Sequence, residues 1–133
     1  MKAIIVAVVA MLAVGFVFSA VQPVYELKVL SATSSDPVSP EKAAELLFWP
    51  GLAFVLISTV ITFGFGGLVA GRLAGVATGG HALVAASIPL VLTWIVVLTE
   101  PDPQPFGVGF VTVVGIAAAV TASKLGTRRP PDR

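Results

Sequence analysis

The chain has no cysteine and a single histidine, His81. Without cysteine there is no disulfide, no thiol nucleophile and no thiol-linked lipid anchor. One imidazole with no acid beside it cannot assemble a metal centre. Charge is scarce as well: 8 basic and 7 acidic side chains among 133 residues, 11% against 56% hydrophobic. A soluble domain needs about a quarter of its residues charged to cover its surface. Together with a mean hydropathy of +0.99, this excludes a soluble fold, a disordered chain and a nucleic-acid binder, and leaves a membrane protein. No phosphate loop, nucleophile elbow or zinc-protease helix occurs. Serine, threonine and tyrosine lack a base to activate them. Neither catalysis nor a cofactor nor a bound metal is expected.

Four long stretches carry no charge: residues 3–25, 46–71, 73–99 and 103–123. About 20 helical residues cross a hydrocarbon core ~30 Å thick, so each stretch suffices for one crossing. Barrel strands would alternate apolar and polar residues, whereas AIIVAVVAMLAV and IPLVLTWIVVL are apolar on every face. The spans are placed at 3–21, 48–70, 82–99 and 106–123. The first could be read as a cleaved leader, but its apolar stretch is too long and Phe18 is bulky for the cleavage position, so a retained helix is favoured.

Four crossings put both termini on one side, with Lys2, Arg72, Lys124, Arg128, Arg129 and Arg133. The other side receives Lys28 and Lys42 with Glu26, Asp36, Glu41, Glu45, Glu100 and Asp102. The positive-inside bias then makes both termini cytoplasmic. Tyr25, Trp49, Trp94 and Phe106 fall near the outer span ends, where aromatic rings favour the headgroup level. Residues 127–133 form a short basic tail that is expected to be solvated and weakly drawn to anionic lipid.

Residues 22–47 read as an outer loop. Ser39-Pro40-Glu41 marks a helix start within it, with Ser39 as N-cap, Pro40 in first position and Glu41 against the positive helix end. A short surface helix over 40–48 follows, leading into the second span at Trp49-Pro50. A plain connector is favoured over a lid or docking surface. Gly67, Gly71 and Gly75 recur every four residues and present a side-chain-poor face on which another helix can pack closely. Gly115, Ala119 and Ser123 repeat the spacing in the fourth span. The favoured use is packing within the monomer, and the alternative is a contact between proteins. Arg72 is expected to reach the cytoplasmic headgroups from its helix end. His81 is expected there too, as an interfacial hydrogen-bonding group. Arg72, His81, Lys124, Arg128 and Arg129 thus make up the expected cytoplasmic interface. Pro89 should kink the third span, and Pro101, Pro103 and Pro105 stiffen the turn that follows it. Short turns favour antiparallel packing of spans two on three and three on four.

The run Gly66-Gly67-Leu68-Val69-Ala70-Gly71-Arg72-Leu73-Ala74-Gly75, then His81-Ala82, the turn Pro101-Asp102-Pro103 and the ending Ser123-Lys124-Leu125-Gly126, resembles a broad group of small four-helix membrane proteins of bacteria without assigned activity. The chain departs from that group in having no second basic residue after Arg72 and few aromatics in its fourth span. The resemblance implies the inner membrane and the four-span topology. The expected fold is therefore an all-α integral membrane protein, one domain over 1–126. Its four transmembrane helices form an antiparallel up-down bundle, both termini inside, with the short outer helix between spans one and two. The expected role is a non-catalytic accessory or assembly component, the alternative a small oligomeric transporter or channel component. Expected partners are the lipid bilayer and either further copies of the chain or a larger membrane complex; no nucleic acid is expected. Mid-membrane ionisable groups, which ion-coupled carriers use, are absent from the spans.

Overall fold

A computed structural model describes residues 1–34, 37–74, 79–99 and 105–127. All regular structure among them is helical: α1 (Lys2–Thr33), α2 (Pro40–Ala74), α3 (Gly79–Leu98) and α4 (Pro105–Gly126). Each is long and apolar enough to cross a membrane. Their most apolar windows are turned outward. Only 11% of that window is buried in α1 and 28% in α2.

Two helices outrun the expected spans. α1 continues through Gln22-Pro23 to Thr33, so the connector is residues 34–39 and not the loop expected over 22–47. Charge ends an apolar run without ending a helix. The segment after Pro23 is rich in good helix formers, and Gln22 donates to the Glu26 carboxylate one turn later at 2.9 Å. Likewise, 40–48 is no separate surface helix. It forms the first turns of α2, which passes Trp49-Pro50 unbroken. Pro50 lies about three turns inside the helix and leaves the Leu46 carbonyl without its backbone donor, yet the helix continues through it. Ser39 precedes the first turn, and its Oγ accepts from the Lys42 N–H at a long 3.5 Å.

The main neighbour of α2 is α4, not α3, and among the described residues α1 and α4 do not touch. The helices stand in the cyclic order α1, α2, α4, α3, with α2 and α3 also in contact across the middle. Gly67 lies against Ala119, and Gly71 against Ser123. These pairs share one sequence offset, so α2 and α4 run parallel. Met11 against Gly66 and Tyr25 against Pro50 make α1 antiparallel to α2. Gly79 against Val120, with Trp94 against Thr112, does the same for α3 and α4.

The core sits at one end. Ala3, Ala7 and Met11 of α1, Ala82, Ala85, Ala86 and Leu90 of α3, and Gly115, Ala119 and Ser123 of α4 surround Phe63, Gly66, Gly67, Ala70 and Gly71 of α2. Small side chains draw the helices together there. At the other end the spacers are rings. Phe54 of α2 stacks on Tyr25 of α1 (centroids 4.9 Å apart) and meets the edge of Phe18 (6.0 Å). The bundle is closed by alanine and glycine at one end and held apart by aromatics at the other.

Candidate functional site

The α2–α4 contact is made backbone to backbone. A Cβ on Gly67 would overlap the Ala119 carbonyl, and one on Gly71 the Ser123 carbonyl. On α4, a Cβ on Gly115 would press on the Phe63 ring at 3.0 Å, and one on Gly126 on the Leu68 carbonyl at 2.7 Å. Ser123 is fully buried, its hydroxyl donating to the Val120 carbonyl at 2.8 Å. The glycine, alanine and serine positions with four-residue spacing therefore face one another inside the chain, which leaves them unavailable to a partner. Gly75 lies outside the described residues, as do Arg128 and Arg129.

Lys2, Arg72 and Lys124 gather at the tightly packed end, Arg72 and Lys124 both exposed. His81 opens α3 near them, half-buried. Glu26, Lys28, Glu41, Lys42 and Glu45 lie at the opposite end, on the parts of α1 and α2 that extend past α3 and α4. Carrying the α2–α4 offset back to Pro105 sets the start of α4 level with Ala53. About 20 Å of α2 thus stands beyond it. Tyr25, whose hydroxyl donates to the Pro50 carbonyl at 3.2 Å, ties α1 to this projection. Trp49 is 72% exposed at its base, and Leu27 and Phe48 are exposed at the same height. Trp94 behaves differently from these rings. It lies deeper, half-buried, and its indole N–H donates to Thr112 Oγ1 of α4 at 3.0 Å.

Between the two ends is a cavity of about 640 Å³. α2 forms its back with Ser58, Thr59 and Thr62; α1 contributes Gly15, Phe16, Ser19 and Gln22; α3 contributes Pro89, Leu92, Thr93 and Val96. Met11 and Phe63 close it toward the packed end. Among the described residues no Asp, Glu, Lys, Arg or His lines it. Sequence reasoning missed this site, although three hydroxyls within one turn and a half of an uncharged run, Ser58, Thr59 and Thr62, are a readable signal. Among the described residues no cluster of three His, Cys, Asp or Glu is placed to hold a metal. Among the described residues the cavity offers hydroxyl and carbonyl oxygens in an apolar wall.

Comparison with protein-family models, curated proteins and solved structures finds no match for this chain.

Proposed function

We propose that this chain is a multi-pass protein of a bacterial inner membrane, inserted through α1–α4 with both termini cytoplasmic. Its role is that of a non-catalytic accessory or assembly component of a membrane complex. Insertion is supported by the outward-facing apolar windows, which only lipid can cover without aggregation. Orientation is supported by Lys2, Arg72 and Lys124 at one end, opposite the acidic projection.

The accessory role rests above all on the α1–α2 projection. Two spans can be joined by a simple loop. Here they are joined by a helical pair reaching about 20 Å past the other helices. Its exposed Leu27, Phe48 and Trp49 sit beside Glu41, Lys42 and Glu45, the mixture of apolar anchors and rim charge found at protein contacts. The test is to tag the C-terminus, extract membranes in mild detergent and identify co-purifying proteins by mass spectrometry. A stoichiometric membrane partner is expected, recovered about tenfold less with Glu41→Lys and Glu45→Lys combined. Extraction of only free monomer would sink the reading.

The cavity favours one second reading, a small oligomeric transporter or channel component. It is closed toward the basic end by Ala70, Ala82, Ala85, Ala86 and Ala119, all fully buried, so passage through one chain would require that end to open. Solute flux in liposomes, abolished by Gly71→Leu, would support it. No flux for any solute class would remove it.

A further inference from the structure

The cavity has a lopsided hydrogen-bond balance. Ser58 and Thr59 donate their hydroxyl protons to the Val55 carbonyl (3.0 and 2.7 Å), and Thr93 donates to the Pro89 carbonyl at 2.9 Å. A hydroxyl has one proton to give, so what these three offer inward is oxygen lone pairs. At the acidic end Gln22 gives an amide proton to Glu26, which leaves the Gln22 carbonyl oxygen open. Pro23 has no N–H for the Ser19 carbonyl one turn before it. The wall is therefore rich in acceptors.

Thr62 is the exception within it. Its side chain lines the cavity, is 8% exposed, and its hydroxyl has no hydrogen-bond partner among the described residues. A buried hydroxyl is costly to leave unpaired, and in native proteins such groups have a partner. The rims of the cavity point to where that partner comes from. Phe16 of α1 is 74% exposed and Val96 of α3 is 59% exposed, so the mouth opens sideways between these helices, on the apolar flank of the bundle. With no charged side chain among the described lining residues, an ion would enter without a counter-charge from them.

We propose that the cavity binds a neutral, membrane-soluble amphiphile carrying a hydroxyl group, of the long-chain alcohol class. The ligand hydroxyl donates its one proton to an acceptor oxygen of the wall, Ser58 Oγ of α2 foremost, and accepts from Thr62, while the chain lies along Phe16 and Leu92. A volume of about 640 Å³ falls within the range of small-molecule sites, ~300–1,000 Å³. The proposal rests on the membrane insertion argued above, and its test keeps the two apart.

Full-length protein in lipid nanodiscs is photolabelled with a diazirine-bearing hexadecanol. Unlabelled hexadecanol or its methyl ether is the competitor, and labelled residues are mapped by mass spectrometry. Hexadecanol is expected to compete about tenfold better than the ether, which cannot donate. The label should fall near Ser19 and Thr93. Ser58→Ala should bring that ratio toward one, while Thr62→Val, which removes a donor that both competitors can use, should weaken both about equally and leave the ratio unchanged; neither variant should lower the unfolding temperature. Equal competition by alcohol and ether in the unaltered protein means that alkyl chains merely fill the space, and overturns the proposal. So does label confined to outward residues such as Ile95. Label on no helix at all contradicts insertion itself.

Discussion

Thr62 and Gly67 lie five residues apart on α2 and answer to opposite constraints. At Gly67 there is no room: the Ala119 backbone occupies the place of a Cβ. Gly67→Ala should therefore cost about 1–3 kcal/mol of stability, the usual range for overpacking. Gly64 provides the control, because nothing lies within 4 Å of its added methyl. Gly64→Ala should cost less than about 1 kcal/mol. Equilibrium unfolding in mixed micelles compares the two; equal losses would mean that α2 does not rest on the α4 backbone. At Thr62 there is room but no partner. In ligand-free protein, Thr62→Val should raise stability by about 1 kcal/mol, since an unpaired buried hydroxyl is removed and the shape kept. A clear loss would mean that the hydroxyl is paired.

Between elements, different chemistry joins the helices at the two ends. The α1–α2 pair depends on Phe54, which touches both Phe18 and Tyr25. Tyr25→Phe should cost about 1 kcal/mol through the bond to the Pro50 carbonyl. Phe54→Ala should cost about 2 kcal/mol or more through two ring contacts. The same unfolding assay checks both, and a reversed order would contradict ring packing as the main tie. The four helices were legible in the sequence because uncharged runs of span length are hard to mistake. The spacing of Gly67 and Gly71 against Ala119 and Ser123 was legible for a related reason, since absent side chains leave a pattern. The projection was not legible. Glu26 and Lys28 end the apolar run, but they favour helix as much as they favour water. The cavity was hidden more deeply. Ser58, Thr59 and Thr62 look like ordinary hydroxyls of a span until α1 and α3 are seen to stand back from them.

At the scale of the whole molecule, the bundle is a wedge set between two kinds of end. The narrow end is packed with alanine and glycine and carries Lys2, Arg72 and Lys124; the wide end carries the aromatic ties, the cavity and the mixed-charge projection. On the orientation proposed above, the narrow end faces the cytoplasm and the cavity lies in the outer half of the bilayer. The absence of natural cysteine makes the direction readable with single reporters. Ser39→Cys stands at the tip of the projection and Thr127→Cys just beyond α4, at the opposite end. Each is expressed separately in cells and treated with a membrane-impermeant maleimide after opening the outer barrier only. The account predicts that Ser39→Cys is labelled in intact spheroplasts and Thr127→Cys only after lysis. Labelling of both from the same side would contradict the four-span bundle, and the reverse pattern would contradict its orientation.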